Sequence, residues 1–204
     1  MKLSAIWALL KKRKTAVIQK SADTQWVGDG YAAYPIYVLP DLDNKTMQIL
    51  LDVKDEAWES FNVRLSYAPP FCEEDFEIGE KEMRELDVTI NYHGSELIPL
   101  TVGDEIYFIQ AQYLKPFNDF EPLFFLRRNR ASQLIAVKEG MLLRGVLAPY
   151  HFDGVGEELF VNALRDISVR AEHMYDEHNK VAEVADELRN LSFEDDEEDT
   201  DDES

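Results

Sequence analysis

The negative charge of this sequence is concentrated in its last quarter. The 204 residues contain 21 Lys and Arg against 41 Asp and Glu, a formal net charge of −20. Residues 1–152 hold 17 basic and 22 acidic residues, whereas residues 153–204 hold 4 and 19. The block from Glu194 to Glu203 has nine acids and no apolar residue. Such a block repels itself and has nothing to bury, so we expect a slightly acidic folded domain at 1–152 and a disordered acidic tail at 192–204.

Strand and helix patterns in the first domain predict an α+β fold. Hydrophobic residues make up 45% of the chain, which is enough to form a core. Apolar spacing predicts a helix at 2–13, and Asp41 or Asp43 can cap a short helix that ends at Leu51. Alternating segments predict strands at 15–19, 25–27, 31–34, 61–67, 86–92, 96–100, 122–128, 133–138 and 141–150. Because neighbouring strands are joined by short turns, we expect an antiparallel sheet.

The segment at 153–191 has the pattern of one long helix. It contains no Pro, and its apolar positions recur in alternating steps of three and four residues. This heptad seam includes Phe160, Leu164, Ile167, Met174, Val181 and Leu188, with Ala171, His178 and Ala185 between them. At about 1.5 Å per residue the helix would be roughly 50 Å long. The seam can pair two copies into a homodimer or lie along its own domain, and the sequence leaves both open.

The sequence contains no pattern typical of an enzyme. It lacks a phosphate-binding loop, a dinucleotide-binding glycine fingerprint, a zinc-protease helix and a nucleophile elbow. Its single cysteine, Cys72, excludes an internal disulfide and a cysteine metal cluster. No apolar run reaches the roughly 18 residues that span a membrane. We therefore expect a cytoplasmic, non-catalytic protein without cofactor or metal.

Two groups of basic residues are candidates for contact with nucleic acid. Lys11, Lys12, Arg13 and Lys14 close the first predicted helix, where their charge also suits the helix dipole. Arg127, Arg128 and Arg130 lie at a turn between two predicted strands. Basic clusters in an acidic protein can face phosphates, although each is also compatible with a solvated helix end or hairpin tip.

The second half of the first domain resembles a known family. Four short motifs follow one another at 85–152: Leu-Asp-Val-Thr at 86–89, Gly94 with Glu96-Leu97, Tyr113-Leu114 and Leu147-Ala148-Pro149. In this order they resemble the last half of a bacterial sliding-clamp domain. The resemblance implies a curved antiparallel sheet with two short helices. It also implies that the helices face DNA with basic side chains, a role that Lys11, Lys12, Arg13, Lys14 and Lys115 would fill here.

Two functions follow from these features. In its general look the chain resembles small proteins of phages and mobile elements of Firmicutes. The first hypothesis is a non-catalytic accessory protein of nucleic-acid metabolism, which binds a nucleic-acid-processing enzyme and can also bind DNA. The alternative is an acidic DNA mimic that inhibits a host defence nuclease of the CRISPR or restriction type. The acids that would replace phosphates are Glu194, Asp195, Asp196, Glu197, Glu198 and Asp199.

Overall fold

The computed structural model divides the chain after His151 into two units, Met1–His151 and Phe152–Ser204. The residues that it describes are 1–20, 24–37, 39–66, 71, 79–120, 123–128, 134–152, 161, 162 and 164–166. In the second unit the described residues from 161 to 166 are helical. The rest of the predicted heptad helix, and the acidic tail, lie outside the described residues.

An eleven-stranded sheet forms the first unit. Its strands are β1 Thr15–Lys20, β2 Gln25–Gly28, β3 Ala32–Ile36, β4 Asn62–Ser66, β5 Lys81–Glu85, β6 Ile90–Tyr92, β7 Ser95–Val102, β8 Glu105–Gln110, β9 Phe124–Arg127, β10 Ile135–Glu139 and β11 Leu142–Leu147. They are ordered β4-β1-β2-β3-β11-β10-β9-β5-β7-β6, and β8 pairs with β7. The β1–β4 pair is parallel and the other pairs are antiparallel. The predicted α+β class and mostly antiparallel sheet are confirmed.

The sheet is curved, and the chain that follows β11 bridges two distant parts of it. The backbone N–H of Ala148 donates to the carbonyl of Tyr31 at 2.7 Å, next to β3. Two residues later, the N–H of Tyr150 donates to the carbonyl of Phe108 in β8, also at 2.7 Å. These two hydrogen bonds bring β8 towards β3, although many strands separate them in the sheet order.

Three short α-helices accompany the sheet: α1 Leu3–Arg13, α2 Asn44–Leu51 and α3 Asp55–Trp58. Two 3₁₀ turns, Ala111–Tyr113 and Lys115–Phe117, stand where the sliding-clamp resemblance implies a short helix that carries Lys115. Pro116 lacks the N–H that an α-helix would need at this point, so the chain forms two single turns instead. Of the two predicted caps, Asp43 is the one that begins α2.

The main core lies between α1 and one face of the sheet. Ile6, Leu9 and Leu10 of α1 are buried, and they join Ala16 and Ile18 of β1 in one hydrophobic cluster. All four residues of β2 are buried because both of its faces are covered. Val27 faces the main core, whereas Trp26 belongs to a second, smaller cluster with Ala136, Leu143 and Val146. The β1–β3 region is therefore packed on two sides.

Two predicted boundaries around β5 and β6 differ from the structure. The sequence predicts no strand between 67 and 86, but β5 forms there, between β9 and β7. Met83 is the one buried residue of β5, and the other four residues of the strand are charged, so the sequence shows no alternation of apolar and polar residues there. The expected strand at 86–92 begins only at Ile90. Leu86 and Val88 instead make a turn, in which the N–H of Val88 donates to the carbonyl of Leu86 at 2.7 Å.

Candidate nucleic-acid interface

The end of α1 presents three exposed lysines. α1 ends at Arg13, and the next residue, Lys14, caps it in a left-handed conformation with a φ of 51° and donates its backbone N–H to the carbonyls of Leu10 and Lys11. Lys12 Nζ donates to Gln112 Oε1 at 2.9 Å, and Lys14 Nζ donates to Ser60 Oγ at 3.5 Å. Both acceptors are neutral. Within the described part of the chain, no carboxylate forms an ion pair with Lys11, Lys12 or Lys14.

Arg13, the fourth cation of this group, contacts the protein itself, although 38% of its side chain is exposed. Its guanidinium Nε lies 3.7 Å from Asp29 Oδ2, and its Nη2 donates to the Tyr113 hydroxyl at 3.3 Å. The same guanidinium stacks over the Tyr31 ring at 5.1 Å from the ring centre. Arg13 therefore anchors the helix end, and the three lysines are the residues left to face an external partner.

Asp29 is the buried carboxylate on which this anchor depends. It follows β2, at the turn into β3, and its Oδ1 accepts from the backbone N–H groups of Tyr31 at 2.9 Å and Ala32 at 3.1 Å. Its Oδ2 accepts from the Tyr113 hydroxyl at 2.7 Å. A buried carboxylate needs this many donors, because its charge would otherwise be costly to remove from water. The network joins α1, the β2–β3 turn and the first 3₁₀ turn.

The two tyrosines of this network act as hydrogen-bond donors. The Tyr34 hydroxyl donates to the backbone carbonyl of Tyr113 at 2.9 Å. Burial raises the pKa of Tyr113 well above its usual range, and the charge and hydrogen bond of Asp29 raise that pKa further. Burial, followed by the charge of Asp29, raises the pKa of Tyr34 in the same way. Both phenols therefore remain protonated donors at ordinary pH.

A pair of glutamines extends the network to the surface. Gln112 Nε2 donates to Gln110 Oε1 at 2.6 Å, and Gln110 Oε1 also lies 3.5 Å from Arg13 Nη2. Since Gln112 accepts from Lys12, a continuous chain of hydrogen bonds runs from Asp29 to an exposed lysine. On the other side, the backbone N–H of Asn62 donates to the carbonyl of Lys14 at 2.9 Å, which ties the helix end to β4. The lysines thus project from a fixed backbone.

The other predicted basic residues are not gathered at this end of α1. Lys115 is exposed, and it precedes Pro116, whose carbonyl accepts from the N–H of Lys2 at 2.9 Å. Lys115 therefore neighbours the start of α1, at the opposite end of the helix from Lys14. Arg130 lies outside the described residues.

Arg127 and Arg128 form ion pairs with carboxylates of the first unit. Arg127 pairs with Glu105 and stacks over the Tyr107 ring at 5.2 Å. Arg128 is only 1% exposed, and its Nε lies 3.0 Å from Glu80 Oε1. The second carboxylate oxygen of Glu80 accepts from Lys138 Nζ at 2.6 Å. Glu80 therefore bridges two buried cations, and Arg128 lies inside the protein rather than at a hairpin tip.

The acidic residues that hold these cations, Asp29 and Glu80, could not be identified from the sequence. In the sequence, Asp29 lies between Gly28 and Gly30, which indicates a turn. Nothing near it indicates that its partner is Tyr113, 84 residues away. Glu80 lay in a stretch with many carboxylates, where no pattern distinguished the buried one. Pairings of this kind depend on the tertiary fold, so a single sequence carries no local signal for them.

The described residues contain no group of three His, Cys, Asp or Glu side chains arranged to hold a metal ion. None of their helices is long and apolar enough to cross a membrane.

Comparison of the chain with protein-family models, with curated proteins and with solved structures found no match.

Proposed function

We propose that this chain is a non-catalytic accessory protein of nucleic-acid metabolism that contacts the DNA backbone through Lys11, Lys12 and Lys14. One observation carries the proposal: three exposed lysines at the end of α1 have no carboxylate partner among the described residues. The helix end that bears them is held by the contact between Arg13 and the buried Asp29. Lysine ammonium groups bind phosphates as point charges and release the counterions of DNA. Such contacts fix the position of a protein on a duplex and carry no sequence information.

The net charge of −20 limits how this surface can work. At physiological ionic strength, charges are screened beyond a Debye length of about 8 Å. A local lysine group can therefore attract a phosphate at contact distance, because acids more than a Debye length away from it are screened. We expect weak binding that is independent of sequence, and a protein partner that supplies the remaining affinity.

The proposal is tested with a triple variant, Lys11→Gln, Lys12→Gln and Lys14→Gln, in the full chain. A matched control, Lys45→Gln, Lys54→Gln and Lys81→Gln, changes the net charge by the same amount at exposed lysines on other elements. Fluorescence anisotropy with a labelled random-sequence duplex measures binding at low salt. We expect the first variant to lose most of the affinity and the control to retain it. Equal losses in both variants would show that only net charge matters.

The alternative, an acidic DNA mimic that inhibits a host defence nuclease, is supported by the charge distribution of the sequence. Nine of the ten residues from Glu194 to Glu203 are acidic. Replacing Glu194, Asp195, Asp196, Glu197, Glu198 and Asp199 with their amides removes six of these nine charges and keeps the chain length. If the tail mimics DNA, the amide variant should lose inhibition of the target nuclease. Under the DNA-binding proposal, the same variant should bind DNA more tightly at low salt, where the repulsion between the tail and DNA is little screened.

Three expectations remain predictions alongside this proposal: the sliding-clamp resemblance, the origin in phages or mobile elements, and the cytoplasmic location. The homodimer through the heptad helix also remains a prediction. Light scattering of the full chain tests it, because a paired helix gives twice the chain mass and a helix lying along its own domain gives the monomer mass.

A further inference from the structure

An exposed aromatic ring, that of Tyr31, lies beside the lysines at the end of α1. The antiparallel β1–β2 register pairs Val17 with Gly28, so the start of β1 and the β2–β3 turn lie at the same end of the two strands. Lys14 immediately precedes β1, and Tyr31 lies in that turn. Tyr31 is 53% exposed. The basic surface at the end of α1 therefore borders an aromatic ring.

The backbone that carries this ring is fixed on both sides. The N–H of Tyr31 donates to Asp29 Oδ1 at 2.9 Å, and its carbonyl accepts from the N–H of Ala148 at 2.7 Å. The Arg13 guanidinium lies over the ring at 5.1 Å from the ring centre. A side chain that is already held loses little conformational freedom on binding, so Tyr31 is preorganised for contact with a partner.

A held, exposed ring beside cations is suited to stack with a nucleobase. Every base has a π-face, and an arginine next to the aromatic ring adds a cation–π contribution. The ring of Tyr31 also forms part of the wall of a largely apolar pocket of about 340 Å³, which leaves room for a base beside it. A single strand exposes the faces of its bases, whereas a duplex stacks them on one another. Single-stranded DNA can therefore contact both the ring and the lysines.

We propose that Tyr31 stacks on a base of single-stranded DNA while Lys11, Lys12 and Lys14 contact its phosphates. This inference rests on the DNA-binding function proposed above and names single-stranded DNA as the class of ligand. On charge alone a duplex would bind more tightly, because each phosphate contact to a duplex releases more counterions than one to a single strand. The stacked base supplies the affinity that the weaker phosphate contacts of a single strand lack.

Two labelled strands of equal length and charge separate the base contact from the phosphate contacts. One is an oligothymidylate, and the other carries an abasic sugar at every position. Fluorescence anisotropy at low salt measures the affinity of the full chain for each strand and for the random-sequence duplex. We expect oligothymidylate to bind about tenfold more tightly than the abasic strand, as one stacked base allows.

Equal affinities for the two strands would overturn the stacking proposal. Binding of the duplex that still depends on the three lysines would, in that case, leave the proposed DNA contact standing. No binding of the native chain to any of the three DNAs would overturn both proposals.

Variants of Tyr31 locate the base contact. Tyr31→Ala should abolish the preference for oligothymidylate over the abasic strand, and Tyr31→Phe should retain it because phenylalanine keeps the aromatic face. Tyr37→Ala is the matched control, since Tyr37 is 44% exposed and follows the opposite end of β3. A preference that survives Tyr31→Ala, or one that Tyr37→Ala removes to the same extent, contradicts the proposal.

The preference is a ratio of two affinities, so a weakened helix end, which lowers both, leaves the ratio unchanged. Should Tyr31→Ala fail to fold, Tyr31→Leu carries the same expectation, because leucine keeps apolar bulk against Arg13 and lacks the aromatic face. A folded Tyr31→Leu chain that keeps the tenfold preference would overturn the proposal.

Discussion

The Asp29 carboxylate is contacted by hydrogen-bond donors from three separate elements. Two backbone N–H groups of the β2–β3 turn, the Tyr113 hydroxyl and the Arg13 guanidinium all approach it. The side chain is 2% exposed, so each of these contacts acts in a poorly hydrated environment. At the residue scale, this single acid anchors the end of α1 to the sheet through Arg13.

Replacing Asp29 with Asn should destabilise the first unit. The amide keeps one acceptor for the turn but removes the charge that Arg13 and Tyr113 contact. We expect a loss of about 1–3 kcal/mol in the free energy of unfolding, the usual effect of leaving buried partners unsatisfied. Urea unfolding measures it, with Asp41→Asn as control, since Asp41 is 94% exposed and forms only a 3.7 Å ion pair with Lys20. Equal changes in the two variants would mean that the Asp29 network adds no stability.

The cap of α2 predicts a pH dependence. Asp43 Oδ1 accepts from the hydroxyl of Thr46 at 2.6 Å and from its N–H at 2.7 Å, and these bonds lower the pKa of Asp43. A carboxyl with a lowered native pKa stabilises the fold above its unfolded pKa of about 4, and this contribution is lost as the pH falls through the native value.

Asp43→Ala should therefore lower the thermal midpoint at neutral pH, and the difference from the native chain should shrink in acid. Asp43→Asn is the matched control, because an amide oxygen caps a helix without titrating. A deficit of Asp43→Ala that is the same in acid and at neutral pH would show that ionisation of Asp43 does not matter.

At the scale of elements, the hairpins could be predicted from sequence and the distant pairings could not. Turns that contain Gly between alternating segments indicated β2–β3 and β10–β11, because a tight turn fixes its strands locally. The parallel pairing of β1 with β4 joins residues more than 40 positions apart, such as Thr15 and Asn62. No local pattern specifies such a pair. The same limit applies to the candidate site: its lysines could be identified in the sequence, but the residues that hold them could not.

The β2–β3 hairpin depends on a close backbone approach at Gly28. A Cβ at this position would lie 1.7 Å from the carbonyl oxygen of Ala32, which cannot move without opening the turn. We expect Gly28→Ala to cost about 3 kcal/mol of stability. Gly94→Ala is the control: its φ of +75° is strained for alanine, but the space around it is open, so about 1 kcal/mol is expected. Chemical denaturation compares the two, and similar losses would contradict a steric role for Gly28.

At the scale of the whole molecule, two regions of charge have different roles. Glu80, Arg128 and Lys138 form an internal cluster that joins the start of β5 to β9 and β10. The lysines of α1 lie at the surface. Composition alone could not separate these roles, because Arg127 and Arg128 resemble a surface cluster in the sequence and are held by carboxylates in the fold.

Removing the charge of Glu80 should destabilise the sheet. Glu80→Gln leaves two buried cations beside a neutral amide, which typically costs about 3 kcal/mol. Glu105→Gln breaks the more exposed pair with Arg127 and should cost about 1 kcal/mol or less. Urea denaturation of both variants checks the difference. Equal losses in the free energy of unfolding would mean that the buried ion pairs of Glu80 stabilise the fold no more than the exposed pair of Glu105.

The proposed DNA contact is tested most directly by the salt dependence of binding. Three phosphate contacts give a slope of about −2.7 when the logarithm of the association constant is plotted against that of the salt concentration, or about a 40-fold loss of affinity between about 50 and about 200 mM salt. We predict this slope for the native chain and for Lys45→Gln/Lys54→Gln/Lys81→Gln, and a slope near zero for Lys11→Gln/Lys12→Gln/Lys14→Gln. A native slope near zero, or a slope that the α1 variant leaves unchanged, would contradict DNA binding through the lysines of α1.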